Sequence, residues 1–163
     1  MEAFAKPAAG GIIIKSENEI DYILIQERCK ENGGLENGLI EIPAGKIREF
    51  ENIFDCLRRE IREETGLNVI GIMGEDEAVT VESNGYKVIN YMPFACSQNI
   101  QGNYPIMVQT FICKVYGQVL HKTNESRNIR WISINQLREM LDSNEEAFYP
   151  MHVSTLKKYL SDK

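Results

Sequence analysis

The chain of 163 residues is 43% apolar and 26% charged, ordinary for a globular protein with one adequate core, so a single domain over 1–163 is expected. Its net charge of −6 and lack of a basic stripe argue against a nucleic-acid polymer as partner; a small anion stays open, because a bound cation inverts the local field. No run approaches the roughly 20 apolar residues of a membrane span, and residues 12–14 are too few for a signal segment, so neither membrane nor export is expected.

Residues 8–15, Ala-Ala-Gly-Gly-Ile-Ile-Ile-Lys, predict a strand entered through glycines. A polar turn over 16–21 leads to a β-rich stretch at 22–28 that pairs back as a hairpin. Arg28 ends that stretch, as a surface charge or as a phosphate contact at a cleft mouth, a common task for guanidinium. Residues 29–38 form a loop rich in Gly and Asn, and 39–43 a short strand. Pro43, Ala44 and Gly45 then break regular structure in a tight turn, and Lys46 beyond it either reaches a phosphate or stays solvated.

A helix is predicted over 52–65. Asn52 suits the N-cap, Asp55 the back half of a capping box, and Gly66 the left-handed position past the end. At about 100° per residue, Ile53, Phe54, Leu57 and Ile61 share one arc that must face a core. Arg58 and Arg62 fall opposite, in solvent. Glu64 projects inside the apolar arc, Glu60 at its margin and Glu63 a little further round, with Arg59 one turn before Glu63. A carboxylate on a buried edge costs several kcal/mol unless paired or metal-bound, and three carboxylates within five residues repel one another. A divalent cation removes both penalties: carboxylates plus a turn carbonyl are the hard ligands that Mg²⁺ or Mn²⁺ prefers. The competing reading is a salt-bridged, solvated charged face.

Downstream, 67–73 reads as a strand and 74–77, with Glu75, Asp76 and Glu77, as a solvated loop. Residues 79–82 and 86–96 form two strands about Ser83-Asn84-Gly85, a hairpin turn. A polar loop at 97–105 precedes a long strand over 106–117. Residues 121–128 form a polar loop that holds Glu125, and 129–133 a last strand with Trp131. Helices follow at 135–141, capped by Ser133 or Asn135, and at 148–160, with Pro150 in the first turn. Cys29, Cys56, Cys96 and Cys113 have no metal-site spacing and read as reduced, mostly buried thiols of a cytoplasmic protein.

The stretch from Gly45 to Leu67 resembles the Nudix box of the Nudix hydrolases at every fixed position. Gly45, five residues, Glu51, seven residues, then Arg59-Glu60-Ile61, one residue, Glu63-Glu64, one residue and Gly66-Leu67 reproduce it. The resemblance implies an α/β fold, an α/β/α sandwich about a central mixed β-sheet. It also implies Mg²⁺- or Mn²⁺-dependent cleavage of a small nucleoside diphosphate derivative. Carried over by position, Glu60 and Glu64 would be the main metal ligands, with the carbonyl of Ala44 or Gly45 completing the shell. Glu63 would bind metal or hold the attacking water, Arg59 would orient the carboxylates, and Glu51 would fix the loop to the helix. The base in this family is a box glutamate or an acid on a distant loop; Glu125, six residues before Trp131, occupies that region. Arg28 and Lys46 are candidate substrate contacts. Tyr86, Tyr91, Tyr104 and Tyr149 could stack on a base, or serve as core or rim.

Glu41-Ile-Pro-Ala-Gly-Lys looks more like the ADP-ribose and sugar-nucleotide branch than the Pro-Gly-Gly entry of the triphosphate-cleaning branch. That branch usually has a proline a short way past the box, where this chain has Ser83 and Asn84 and no proline until Pro93. A house-cleaning nucleoside triphosphate pyrophosphohydrolase is the second expectation. A non-catalytic nucleotide-sensing module is the third, though such modules typically lose the box carboxylates kept here. Assembly as a homodimer is left open.

Overall fold

Three consecutive isoleucines in one strand have to be buried on both sides, and this sets the architecture. The computed structural model describes residues 1–163. Its strands are β1 (Lys6–Glu17), β2 (Ile20–Arg28), β3 (Ile40–Glu41), β4 (Ala44–Lys46), β5 (Asn68–Ile72), β6 (Val79–Ser83), β7 (Tyr86–Asn90), β8 (Ala95–Gln98), β9 (Ile106–Tyr116) and β10 (Ser126–Ser133). Its helices are α1 (Ile53–Thr65), α2 (Ile134–Ser143) and α3 (Pro150–Ser161).

The main sheet runs β10-β2-β1-β9-β5, with β3 on β2, β4 on β1 and β8 on β9. β1 and β9 are parallel and the other pairs antiparallel, so the sheet is mixed. Side chains along β1 alternate between its faces. Ala9 and Ile13 pack with Leu57 and Ile61 of α1 and with Phe111. Ile12 packs on the other side with Leu137 of α2 and Leu156 of α3. Helices therefore cover both faces, the expected α/β/α arrangement about a central mixed sheet.

α1 buries Ile53, Phe54, Leu57 and Ile61, none more than 3% exposed. Each such side chain contributes about 1.5–3 kcal/mol against the exposed state. Asn52 caps the helix by accepting from the Phe54 N–H at 2.8 Å. Asp55 lies exposed in the first turn and completes no capping box. Gly66 ends the helix at φ 81, where its N–H donates to the Arg62 carbonyl. The capping box is at α2 instead, between Ser133 and Gln136.

Several boundaries differ from expectation. Ala44 and Gly45, expected in a tight turn, lie in β4, where pairing with β1 extends the backbone. β10 starts at Ser126, inside the expected 121–128 loop, and the turn expected over 16–21 shrinks to Asn18 and Glu19. The stretch 86–96 is not one strand: β7 stops at Asn90, and β8 starts at Ala95 and pairs with β9. Pro93 lies in the gap, where it offers no N–H to a ladder. β6 and β7 form a separate two-stranded hairpin about Asn84 and Gly85. The loop 74–77 is also not wholly solvated, because Glu75 holds Arg58 through two 2.6 Å hydrogen bonds. Arg58 therefore does not stand free in solvent, while Arg62 is exposed.

Phe50, in the loop between β4 and α1, has φ 58 and is 99% exposed. A bulky side chain is disfavoured in that left-handed region, and this one contacts too little to compensate. Phe50→Gly is expected to stabilise the protein by about 0.5–1 kcal/mol, glycine's entropy cost included. Chemical denaturation would check this: the midpoint should rise with an unchanged slope.

Candidate active site

The segment before α1, one face of α1, the end of β2 and the loop before β10 converge on a cavity of about 1050 Å³. Arg28, Ala44, Gly45, Lys46, Arg59, Glu60, Glu63, Glu64 and Glu125 all line it. Residues 97 positions apart in the chain, Arg28 and Glu125, thus share one wall system with the helix.

The segment before α1 is strand β4, held by pairing with β1, Gly45 opposite Ala9 and Ala44 opposite Gly10. Gly45 permits a close approach: a Cβ there would stand 2.0–2.4 Å from the Glu60 carboxyl group and displace it from its present position. The bare backbone is what lets that carboxylate lie against β4.

Arg59 is the hub of the helix face. It donates to both oxygens of Glu51 at 2.8 and 2.9 Å, to the Lys46 carbonyl at 3.2 Å and to Glu63 at 3.4 Å, and it also pairs with Glu60. Glu51 in turn accepts from the Arg48 N–H at 3.0 Å. Loop and helix are thereby tied together, as expected for Glu51. The Arg59 hydrogen bonds hold the Glu51 carboxyl down to about 2, and Arg59 itself is held more firmly charged. Burial raises the Glu60 pKa against the pull of Arg59, and the negative charges of Glu63 and Glu125 raise it further.

Glu64 is buried, 3% exposed, inside the apolar arc. Its Oε2 accepts from the Ala44 N–H and from Gln26 Nε2, both at 3.1 Å. The same Gln26 nitrogen donates to Glu41 Oε1 at 3.3 Å, and Arg28 Nη1 donates to Glu41 Oε2 at 2.7 Å. Burial pushes the Glu64 carboxyl well above the usual range, and the neighbouring Glu41 pushes it the same way. Burial raises Glu41 too, against the pull of Arg28. Gln26 and Glu41 are absent from the sequence-derived site. The available signal was a polar residue ending Ile-Leu-Ile-Gln and an acid inside Leu-Ile-Glu-Ile, both runs otherwise apolar.

Arg28 is not a free surface charge. Its side chain is 12% exposed, bridges Glu41 and Glu36, and stacks on Tyr149 with 4.1 Å to the ring centroid. Lys46 is exposed at the cavity. Glu125 is half-exposed and pairs with Lys30 at 3.4 Å. Of the four tyrosines, Tyr104 and Tyr149 line the cavity. Tyr91 packs on Phe54 and Phe111 and donates to Gln109, and Tyr86 is exposed on the separate hairpin. His152 lines the cavity, yet it is 1% exposed and neither ring nitrogen has a partner.

All four cysteines are free; Cys56 and Cys113 are buried, Cys29 is intermediate and Cys96 exposed. Cys56 lies beneath β4, its Sγ 3.6 Å from the Lys46 carbonyl, and burial pushes its pKa up to about 12. It is a thiol at neutral pH and no soft ligand. The donors that face the cavity are hard carboxylate oxygens, and burial, with neighbouring carboxylates adding to it, disfavours their charged form, a penalty that a hard divalent cation would relieve. They are not gathered into a ready chelating cluster, since Glu60 and Glu63 turn toward Arg59. No helix is long and apolar enough to cross a membrane.

A family model described as NUDIX domain matches residues 5–152. The mRNA-decapping enzyme subunit 2 of Saccharomyces cerevisiae (strain YJM789) is 24% identical over 140 residues, 85% of this chain. The chain spans only 12% of that relative's length. The NUDIX domain of Shewanella oneidensis NrtR complexed with ADP ribose superposes with a TM-score of 0.68 at 12% identity, covering 99% of this chain and 90% of that one. A C. elegans Ap4A hydrolase binary complex gives 0.57 at 17% identity, covering 96% of each chain. At these identities the solved structures establish the shared fold. With the family match across 5–152 and the box complete from Gly45 to Leu67, this chain belongs to the Nudix family.

Proposed function

We propose that residues 1–163 form one Nudix domain that cleaves the pyrophosphate bond of a nucleoside diphosphate derivative such as ADP-ribose or a nucleotide sugar, with Mg²⁺ or Mn²⁺. One observation carries the reading: four separated segments bring the box carboxylates and a set of cations to one cavity. Nudix hydrolases generally use divalent metal cations. Here Glu60 and Glu64, with Glu63 and a carbonyl of Ala44 or Gly45, would hold the metal. When bound, it neutralises pyrophosphate oxygens and lowers the pKa of a water. Arg59 keeps Glu60 and Glu63 from splaying apart. Lys46 and Arg28 meet substrate phosphates, Lys46 as a mobile point charge and Arg28 as a planar fork already aligned by Glu41. Glu125, open to the cavity, takes the proton from the attacking water. The four free thiols suit a reducing, cytoplasmic setting.

A panel of ADP-ribose, nucleotide sugars, dinucleoside polyphosphates and nucleoside triphosphates, read by phosphate release with and without Mg²⁺, tests this. EDTA should abolish turnover and Mg²⁺ or Mn²⁺ restore it, with ADP-ribose or a nucleotide sugar preferred. Undiminished turnover after thorough chelation rejects the mechanism. A preference for triphosphates moves the chain to the house-cleaning reading.

A further inference from the structure

We infer that Gln26 is a positioning residue that decides which oxygen of Glu64 faces the cavity. Gln26 lies outside the box, on β2, and is fully buried. It stands directly opposite Glu41 in the β2–β3 register, so the two side chains share one face of the sheet. From there Nε2 reaches both Glu41 Oε1 at 3.3 Å and Glu64 Oε2 at 3.1 Å. The Ala44 N–H, at 3.1 Å, is the second donor to Glu64 Oε2.

The consequence is an asymmetric carboxylate. Oε2 is held by two N–H donors, while Oε1 takes no hydrogen bond from the protein and is open to the cavity that Glu64 lines. The amide cannot turn over to serve another purpose. Its oxygen would then face the two carboxylates, which in the ionised form that holds a metal only accept. In the orientation present, Gln26 Oε1 is buried without a partner, a desolvation cost that a side chain kept only for packing would not carry.

Gln26 is itself anchored from the far side. Glu41 Oε2 is taken by Arg28, which stacks on Tyr149, so Glu41 Oε1 is the oxygen left for the amide. Contacts thus run unbroken from the cavity wall at Tyr149, through Arg28, Glu41 and Gln26, to Glu64. A partner that orients a ligating carboxylate acts on the metal without touching it, and loss of such partners typically lowers affinity about 10–100-fold.

This rests on the proposed role of Glu64 as a metal ligand. The test is therefore Mn²⁺ binding to the full chain without substrate, read from the paramagnetic signal of free Mn²⁺. Gln26→Met keeps the side-chain volume and removes the donor. Its Mn²⁺ affinity should fall about 10–100-fold, and the Mn²⁺ concentration for half-maximal turnover should rise in parallel, with kcat at saturating metal recovering to within a few-fold. A merely structural amide would lower the thermal midpoint in EDTA and leave the Mn²⁺ affinity of folded protein within twofold of the parent, which overturns the inference. If Gln26→Met fails to fold, Gln26→Asn keeps a buried amide but cannot bridge both carboxylates. It should show the same loss, and unchanged affinity there overturns the inference equally. A parent protein that binds no Mn²⁺ would instead overturn the reading of Glu64, and this inference with it.

Discussion

Replacing Glu64 by glutamine is expected to lower kcat/KM by about three orders of magnitude, equivalent to about 4 kcal/mol of transition-state stabilisation, while making the metal-free protein more stable. Glutamine keeps the shape, and its oxygen can occupy the Oε2 position that receives the Ala44 and Gln26 donors. With the oxygen there, the amide nitrogen takes the Oε1 position that faces the cavity, so both the negative charge and the hard oxygen ligand are lost. The gain in stability follows from the direction of the Glu64 shift. Burial and Glu41 raise its pKa in the folded state. The stability that protonated Glu64 allows is present below the ordinary carboxylate pKa and is lost as pH rises through the folded value. A neutral side chain escapes that loss, so the gap between variant and parent should open with rising pH. In EDTA at pH 8 the thermal midpoint should rise, by about 2–4 °C for each kcal/mol relieved. Glu60→Gln should lower turnover to a similar degree. Near-normal kcat at saturating Mg²⁺ with a lowered midpoint would mean that these glutamates serve a salt-bridged helix and not a reaction.

The second large effect concerns stability in acid. Burial, and then the charge of Arg28, depress the His152 pKa from its usual 6.5 to about 3. The imidazole is therefore neutral in the folded protein over most of the accessible pH range, while in the unfolded chain it protonates below about 6.5. The unfolded state binds the extra proton, so this residue's contribution is fully present above 6.5 and is lost as pH falls from there toward 3. At pH 4.5 the loss attributable to His152 is about 2–3 kcal/mol. His152→Phe fills the space with a ring that does not titrate. Unfolding free energies measured at pH 7.5 and 4.5 should show the parent losing about 2–3 kcal/mol more than the variant. Parallel losses in the two proteins would show that His152 is already charged or solvated when folded.

Local periodicity carried the helix and the order of its faces. Ile53, Phe54, Leu57 and Ile61 repeat at the helical period, so their burial, and that of Glu64 among them, was legible without a fold. Gly45, Glu51 and Arg59 were legible as a spacing, and the structure ties Glu51 to Arg59 where the spacing placed them. Helices on a mixed sheet were implied by the family resemblance, and the order of strand and helix patterns matched it. The register of strand on strand was not legible, because it depends on which faces are buried across the whole sheet and not on neighbours in the chain. Pro93 divided the predicted 86–96 strand, since a ladder with β9 needs an N–H that proline lacks. Register also put Gln26 opposite Glu41. Packing of α1 on the sheet then brought Glu64, 38 residues from Gln26, onto the same amide. Arg28 could be read only as surface charge or phosphate contact, because a single strand does not reveal the carboxylate that a neighbouring strand will supply. Side-chain type and period are local properties, whereas the partner that neutralises a buried charge is chosen by tertiary packing, and that packing decided how Glu64 is held.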